Sequence, residues 1–497
     1  MNILAAIDDP NLFAPWFKDK ATWAAWSAFL ATLFGLPMTP EQRTIYSECT
    51  GRQDPPAAPF NEAWLVCGRR AGKSFTLALT AVYLAVFRDY RHCLAPGERG
   101  TVLIVAADRK QARVILRYVS ALLKGVPILA PLIERETAEA FDLTNRVTVE
   151  VGTASYRTTR GYTFVGVLAD ELAFWRSEDS ASPDYEVLAA VRPGMSTIPG
   201  AMLLCASSPY ARRGALWDAY QRYYAKDAPV LVWKAPTLLM NPTVPQSVID
   251  EAMERDPASA GAEYMAEFRS DIESFISIEA VRACIVTGVR ERAPERQYRY
   301  VAFVDPSGGS SDSYTMAIAH KAGDTAILDL VREVKPPFSP EAVTEEFADT
   351  LKNYRITRVS GDRYGGEWPR EQFRKHGVNY ECSDQSKSEL YVDLLPLINS
   401  RATDLLDHDR LVTQLVGLER RTARGGRDSI DHGPGAHDDI ANAVAGALCQ
   451  AAKLPRGDAF QNRSTPRQTT ANLGPYADFK RRYSGRSVSQ PTRLGWT

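Results

Sequence analysis

Apolar strands alternate with helical segments over the first half of the chain. Runs rich in Val, Leu and Ala predict strands, and longer amphipathic or apolar runs predict helices. The predicted strands are 63–67, 101–108, 146–151, 164–171 and 201–208, and the predicted helices are 75–87 and 109–125. Continuous apolar strands separated by helices are typical of a mainly parallel sheet covered on both faces. The pattern therefore predicts an α/β domain.

The second half follows a different order of elements. Three closely spaced strands are predicted at 300–306, 314–321 and 325–334. A helix then begins at the sequence Ser-Pro-Glu of 339–341, which supplies an N-cap and the first helical positions, and a further strand covers 356–362. An antiparallel meander followed by a helix and a strand predicts a second α/β domain with another topology.

The length of 497 residues is enough for two to four domains at about 150 residues each. We expect a helical lead-in over 1–60 and a first α/β domain over 61–270, with a small helical linker region near 246–290. The second α/β domain is expected over 291–455. A tail over 456–497 carries eight Lys or Arg residues against two Asp and is predicted to be flexible and basic. A solvated terminus without a partner fits its composition equally well.

The composition excludes several classes of protein. Hydrophobic residues make up 45% and charged residues 24%, which suits ordinary folded cores. The net charge of -1 excludes a polybasic protein but leaves a locally basic groove open. Seven scattered cysteines without a CxxC pair argue against a disulfide framework or structural zinc site. With no signal-peptide pattern and no apolar run of about 20 residues, an intracellular protein without a membrane span is expected.

A candidate phosphate-binding loop lies between the first predicted strand and the next helix. Its sequence is CGRRAGKS over 67–74, so that Cys67 stands where the strict P-loop pattern has glycine. Backbone N–H groups at a helix N-terminus can cradle phosphates, Lys73 would reach the β- and γ-phosphates, and Ser74 would bind Mg²⁺. An ordinary glycine-rich turn is the alternative interpretation. The predicted nucleotide-binding residues of the loop are Gly68, Arg70, Ala71, Gly72, Lys73 and Ser74.

Acidic residues follow the strand predicted at 164–171. Asp170 is expected to hold the Mg²⁺ of a bound nucleotide, and Glu171 to orient and deprotonate the attacking water. The alternative for such a pair is a helix N-cap. Arg69 and Arg160 are candidate arginine fingers, with surface ion pairs as the alternative. The strand 201–208 ends in a polar cluster that could sense the γ-phosphate, formed by Ser207, Ser208 and Pro209.

The second domain carries carboxylates at the ends of separate elements. Asp305 and Asp362 each end a predicted strand, and Asp438 and Asp439 precede an apolar helix. Carboxylates that converge in this way hold two Mg²⁺ or Mn²⁺ ions in phosphodiester-cleaving enzymes. Each aspartate alone is more often a turn or cap residue, but the set favours a nuclease domain with a ribonuclease-H-like fold. His432 and His437 remain open as supporting or substrate-contacting groups.

The order of these motifs resembles the large terminase subunit of tailed bacteriophages over roughly 35–450. The resemblance rests on PEQRTIY, GRRAGKS, TTRGY, LADELAFW, ASSP, GALWDAY, VDPSGG, SGDRYGG and AHDDIANAVA, in this order. It implies an ATPase domain of the RecA/ASCE-like P-loop class followed by the nuclease domain. By the same resemblance, Gln42 recognises adenine, Arg69 belongs to the P-loop, Ser207 to a coupling motif, and Asp305, Asp362 and one or both of Asp438 and Asp439 bind metal.

The resemblance also implies a function and partners. The protein would use ATP and Mg²⁺ to move double-stranded DNA into a procapsid, and Mg²⁺ or Mn²⁺ to cut concatemeric DNA. Its partners would be a small terminase subunit and a portal protein. It would form a homo-oligomeric ring when docked and could be a monomer when free, in the cytoplasm of a bacterial host and not in the mature virion. A helicase-class DNA-remodelling ATPase without nuclease activity is the alternative, and a packaging component with structural acids is a third possibility.

Overall fold

A computed structural model describes residues 1–153, 161–175, 180, 182–310, 312–362, 367–422 and 428–455. The α-helices are α1 Ile3–Asp8, α2 Ala24–Leu33, α3 Pro40–Thr50, α4 Lys73–Phe87, α5 Arg109–Gly125, α6 Pro183–Met195, α7 Gly214–Tyr223, α8 Thr237–Met240, α9 Gln246–Arg255, α10 Pro257–Met265, α11 Ile278–Ala283, α12 Pro340–Asn353, α13 Trp368–Lys375, α14 Lys387–Asn399, α15 Asp409–Val416 and α16 Asp439–Lys453. No described helix is both long and apolar enough to cross a membrane.

The strands form three sheets. They are β1 Glu62–Cys67, β2 Gly100–Ala106, β3 Ile133–Glu136, β4 Ala140–Leu143, β5 Val147–Thr153, β6 Thr163–Asp170, β7 Met202–Ser207, β8 Val230–Ala235, β9 Ile272–Ser274, β10 Ile285–Val286, β11 Tyr300–Asp305, β12 Tyr314–Ala322, β13 Thr325–Val334, β14 Arg358–Gly361, β15 Asn379–Cys382, β16 Thr403–Leu406, β17 Leu418–Thr422 and β18 Asp428–His432.

The first sheet has eight strands in the order β3-β4-β5-β2-β6-β7-β1-β8. The six strands from β5 to β8 in that order are parallel, while β3 and β4 pair antiparallel at one edge. Strand β7 lies between β1, which leads into the candidate P-loop, and β6, which ends in Asp170. This intervening strand is the arrangement of the RecA/ASCE-like P-loop class, so the predicted mainly parallel α/β fold is confirmed.

The second sheet has seven strands in the order β10-β16-β13-β12-β11-β14-β15. Strands β11, β12 and β13 form the antiparallel meander, and β14 then pairs parallel with β11. This order is that of the ribonuclease-H-like fold, as predicted. Since the carboxyl ends of parallel strands meet at one edge, Asp305 at the end of β11 and Asp362 after β14 lie at the same edge of this sheet.

Helix α16 lies directly on the meander. A Cβ atom at Gly446 would come within 2.2 Å of the Phe303 ring, so only glycine permits this close approach of the helix to β11. Eleven of the fifteen residues of α16 are buried, which holds the helix flat against the sheet. As a result, its N-terminus with Asp438 and Asp439 is placed at the edge where Asp305 and Asp362 lie.

A small third sheet connects the two halves of the chain. Its order is β18-β17-β9, with all pairs antiparallel. Strand β9 follows the helices α9 and α10, whereas β17 and β18 form a hairpin just before α16. The predicted domain boundaries stay predictions, and the predicted tail over 456–497 lies outside the described residues.

Candidate active sites

The candidate P-loop is a tight turn between β1 and α4. Gly72 has φ +102°, a left-handed conformation that favours glycine. A Cβ atom at Gly68 would lie 2.2 Å from Thr237 Oγ1, so the loop backbone packs closely against the start of α8. Trp26 Nε1 donates to Ala71 O at 2.8 Å and fixes the loop from the other side. The loop is therefore held in one shape by its neighbours.

Lys73 is buried at the base of this loop. Its Nζ donates to the carbonyl oxygens of Cys67 and Gly68, both at 3.1 Å, and to Ser208 Oγ at 2.9 Å. It also lies 3.3 Å from Glu171 Oε1. The ammonium group is thus placed between the P-loop and the ends of β6 and β7, where a phosphate cradled by the loop would meet it.

Ser74 and Asp170 face each other across the same site. The Ser74 hydroxyl donates to Asp170 Oδ2 at 3.2 Å. Asp170 is 4% exposed, and its Oδ1 is buried without a hydrogen-bond partner. Burial and the neighbouring charge of Glu171 raise the pKa of Asp170 to about 7. A hydroxyl beside a carboxylate with one unused buried oxygen fits a magnesium-binding pair.

Glu171 is held by the end of β7. Its Oε2 accepts from the Ser207 hydroxyl at 3.2 Å and from the Ser208 N–H at 3.1 Å. Its backbone adopts a left-handed conformation, with φ 51°, directly after β6. Such a conformation is uncommon for glutamate and is retained here because the side chain and the N–H group, which donates to Ala206 O at 2.7 Å, both have fixed partners.

The remaining predicted residues of this site lie further out. Arg69 forms an exposed ion pair with Glu263 at 3.1 Å, and Arg70, with φ 64°, is also exposed. The Gln42 side-chain oxygen accepts from the Thr39 N–H at 3.0 Å in a capping box at the start of α3. No hydrogen bond among the described residues joins Gln42 to the P-loop. The roles predicted for these residues stay predictions, and Arg160 lies outside the described residues.

The second site is centred on Asp305 and Asp362. Asn442, fully buried on α16, donates through its Nδ2 to Asp305 Oδ2 at 2.9 Å and to Asp362 Oδ2 at 2.6 Å. One amide group therefore bridges both carboxylates. Burial raises the pKa of each carboxyl, and the charge of Asp362 raises that of Asp305 further. Two acids that disfavour each other's charge are typical of a site completed by divalent cations.

Asp438 is the residue directly before α16, is almost fully buried, and makes no capping hydrogen bond with its side chain. Its Oδ2 accepts from the Tyr391 hydroxyl at 2.8 Å and lies 3.0 Å from Lys387 Nζ. Lys387 in turn lies 2.8 Å from Asp431 Oδ1 on β18. Both donors belong to the first turns of α14, so that this helix fixes the orientation of the Asp438 carboxylate.

Asp439 lies on the other side of the α16 N-terminus. Its Oδ2 is buried without a hydrogen-bond partner, whereas its main-chain carbonyl accepts from Thr315 Oγ1 at 2.7 Å. Burial, together with the adjacent charge of Asp438, raises the pKa of Asp439 to about 6. A buried, unused carboxylate oxygen beside other acids fits a ligand for a hard divalent cation. Both Asp438 and Asp439 remain candidates for that role.

The residues that hold the acids of the second site in place were not singled out from the sequence. Asn442 bridges Asp305 and Asp362, and Lys387 joins Asp438 to Asp431. The spacing of Asn442, four residues after Asp438, places it one helical turn further along α16, a signal that was present in the sequence. Lys387 lies far along the chain from any of the motifs and had no such signal.

The fold and these two clusters define an α/β protein with a candidate P-loop nucleotide site and a separate carboxylate cluster. Among solved structures, the chain is similar to the large terminase of bacteriophage HK97, with 16% identity and a TM-score of 0.35, covering 79% of this chain and 91% of that one. It is also similar to the large terminase of a thermophilic bacteriophage, with 10% identity and a TM-score of 0.34, covering 79% of this chain and 94% of that one.

A third similar structure is the large terminase nuclease of the thermophilic phage G20c, with 16% identity and a TM-score of 0.32, covering 36% of this chain and 98% of that one. No protein-family profile and no curated protein matches the sequence. Identities and TM-scores this low transfer no function, which therefore has to be argued from the geometry of the two sites.

Proposed function

We propose that this protein is a DNA-packaging motor of the large terminase type. It would hydrolyse ATP at the P-loop site to drive double-stranded DNA into a procapsid, and would cut concatemeric DNA at the carboxylate centre. The observation that supports the proposal is the pairing of two side-chain clusters on one chain: Lys73, Ser74, Asp170 and Glu171 in one, and Asp305 and Asp362 bridged by Asn442 in the other.

The P-loop site has the groups that phosphoryl transfer requires. Glu171 would accept a proton from a water whose oxygen attacks the γ-phosphorus, while the bond to the β-phosphate oxygen breaks and ADP and inorganic phosphate are released. Lys73 would stabilise the charge on the transferred group. Mg²⁺, held by Ser74 and Asp170, would neutralise charge on the β- and γ-phosphates. Ser208 would respond to the nucleotide state, since it contacts both Lys73 and Glu171.

The carboxylate centre fits hydrolysis of a phosphodiester. Asp305, Asp362 and one or both of Asp438 and Asp439 would hold Mg²⁺ or Mn²⁺, which would activate water and stabilise the leaving oxygen. The chain's own residues fix the acids in place: Asn442 bridges two of them, and Tyr391 orients Asp438. Cleavage by such a centre need not depend on base sequence, because the bound cations would contact phosphate oxygens and not the base edges.

Assays of the purified full chain test this proposal. We expect ATP hydrolysis and Mn²⁺-dependent linearisation of plasmid DNA by the wild-type protein. Lys73→Ala should lose ATP hydrolysis and keep DNA cleavage, and Asp362→Asn should do the opposite. If both activities disappear in one variant that is still folded, or if Asp362→Asn cleaves normally, the assignment of two separate active sites is wrong.

A helicase-class ATPase without nuclease activity is the second candidate function, because the P-loop site alone would serve it. The convergence of the acids at one sheet edge favours the nuclease. A small terminase subunit, a portal protein, ring assembly on the procapsid and a bacterial cytoplasmic location belong to the proposal. Pull-down of the full chain by a purified portal ring would test the docking step.

A further inference from the structure

Lys387 is a cation placed among acidic side chains at the proposed nuclease centre. Its Nζ lies 2.8 Å from Asp431 Oδ1 and 3.0 Å from Asp438 Oδ2. The side chain is 31% exposed, so that solvent screens these contacts only in part. The Asp431 contact has the short distance of a charge-assisted hydrogen bond, and the ammonium group also donates to Asp438 Oδ1 at 3.3 Å.

The position of Lys387 is unusual for a lysine. It is the first residue of α14, after the N-cap Ser386, and a capping box with Glu389 fixes the start of the helix there. A cation in the first turn is disfavoured by the helix dipole. This cost is offset because Asp431 and Asp438 both approach the ammonium group, which suggests that the charge is placed there for the acids and not for the helix.

The neighbours of Lys387 would otherwise form a cation site. Asp431, His432 and Asp438 each have a ligand atom within 4.8 Å of those of the other two. Two carboxylates and an imidazole at this spacing have the composition of a transition-metal site. The Lys387 ammonium hydrogen-bonds two of these three groups, and therefore occupies the position that a divalent ion would take.

The same contacts orient Asp438. The Tyr391 hydroxyl, one helical turn after Lys387, donates to the same Asp438 oxygen at 2.8 Å. The hairpin that carries Asp431 is itself fixed to α14, because the Ile430 N–H donates to Ser388 Oγ at 2.8 Å. Lys387 and its partner Asp431 thus lie on two elements that are fixed to each other.

We propose that Lys387 is a positioning residue that acts as a built-in cation: it excludes a divalent ion from the Asp431–His432–Asp438 cluster and holds Asp438 toward Asp305 and Asp362. The inference rests on the proposed nuclease function, since it assigns the divalent ions to the side of the centre that contains Asp305. Its consequence is that removal of the ammonium group creates one additional metal site and weakens the productive one.

Counting bound Mn²⁺ tests this directly. Free Mn²⁺ is measured by electron paramagnetic resonance while the metal-free full chain is titrated. We expect Lys387→Met to bind one more Mn²⁺ per chain than the wild type, and Lys387→Arg to keep the wild-type number. The double variant Lys387→Met/Asp431→Asn should return to the wild-type number, because the additional site then lacks one of its ligands.

Cleavage assays supply a second readout. Loss of an orienting contact to a metal ligand typically lowers metal affinity or activity about 10- to 100-fold. We therefore expect Lys387→Met to need more Mn²⁺ for half-maximal cleavage, with Lys387→Arg rescuing it. Lys453→Met is the matched control, since Lys453 forms an exposed ion pair with Asp393 at 3.1 Å, also between α14 and α16. ATP hydrolysis should be unchanged in all these variants.

The outcomes separate the inference from the proposed function. Suppose that the wild type binds Mn²⁺ and cleaves DNA, but that Lys387→Met binds the same number of Mn²⁺ ions per chain and needs the same Mn²⁺ concentration for half-maximal cleavage. The role proposed for Lys387 is then wrong, while the nuclease assignment stands. If the wild type neither binds Mn²⁺ nor cleaves DNA, the proposed nuclease function fails first. Should Lys387→Met not fold, Lys387→Gln, which keeps a hydrogen-bond donor without the charge, is predicted to gain the same additional ion.

Discussion

The two candidate sites differ in how their closely spaced charges are balanced. At the P-loop site, Lys73 balances Glu171, and Ser74 donates to one oxygen of Asp170, whose other oxygen stays without a partner. At the carboxylate centre, Asp305 and Asp362 share one neutral donor among the described residues, Asn442. The first site thus has a balancing cation of its own, while the second is left with an excess of negative charge that divalent cations would neutralise.

The largest expected effect concerns the P-loop site. Glu171→Gln keeps the shape of the side chain but removes the proton acceptor, so kcat for ATP hydrolysis should fall about 10²- to 10⁴-fold. Cleavage of DNA should not change, because the other site does not use this residue. A Glu254→Gln variant, which alters an exposed glutamate on α9, is the control. ATP turnover near the wild-type rate in Glu171→Gln would refute its assignment as the base.

The next largest effect is expected for Asn442, whose side-chain amide bridges two acids of the carboxylate centre. Asn442→Ala removes two hydrogen bonds to carboxylates, and hydrogen bonds to charged groups contribute about 1.5–3 kcal/mol each. We expect the metal-free variant to lose about 1.5–3 kcal/mol of free energy of unfolding in urea for each lost hydrogen bond. In the presence of Mn²⁺, the variant should cleave DNA more slowly than the wild type. Gln450→Ala, at a less buried position of the same helix, should cost far less. Equal losses in both variants would contradict the bridging role.

The stability of the carboxylate centre is expected to depend on pH through Asp439. The pKa of Asp439 is raised to about 6 in the folded chain, so the folded state binds its proton more tightly than the unfolded state does. Its stabilising contribution is present below about pH 4 and is lost as the pH rises to about 6 and above. In metal-free protein, Asp439→Asn should lessen this loss by about 1–2 kcal/mol, after allowance for partial exposure. If the free energy of unfolding, measured in urea, falls between pH 4 and pH 7 by the same amount in Asp439→Asn as in the wild type, the prediction is contradicted.

A smaller effect is expected at Ser208, which belongs to the polar cluster predicted at the end of the strand 201–208 and contacts Lys73 and Glu171. Ser208→Ala removes the hydroxyl that accepts from Lys73 but keeps the N–H that donates to Glu171. Loss of one hydrogen bond of about 1 kcal/mol should lower ATP turnover about fivefold. Ser196→Ala, at an exposed position outside the site, is the control. No change in Ser208→Ala would mean that Lys73 is positioned by the P-loop carbonyls alone.

The sequence predicted much of the fold where the pattern was long and regular. Helix α5 begins and ends at the predicted residues, because its apolar spacing is regular and Asp108 caps it. The short edge strands β3 and β4 were missed because their charged residues, such as those of Ile133–Glu136, hide the alternation of a strand. They are stabilised by pairing with each other and with β5, which a local pattern does not show.

The candidate sites were predictable to a similar degree. Residues at element ends, such as Asp170 and Asp305, have a local signal because a polar group follows a buried strand. Asn442 and Lys387 act through contacts with residues distant in sequence, and neither residue type marks a site by itself. Their positions follow from the packing of α14 and α16, which the sequence alone does not determine.

The central claim is that the carboxylate centre depends on divalent cations for its charge balance, whereas the P-loop site has a balancing cation of its own, Lys73. Thermal unfolding of metal-free full chain in rising Mn²⁺, compared between wild type and Asp305→Asn, tests it most directly. The wild-type Tm should rise with Mn²⁺, and Asp305→Asn should have an equal or higher Tm without metal and a much smaller rise. A metal-free Asp305→Asn variant that unfolds well below the wild type, with an undiminished response to Mn²⁺, would contradict the account.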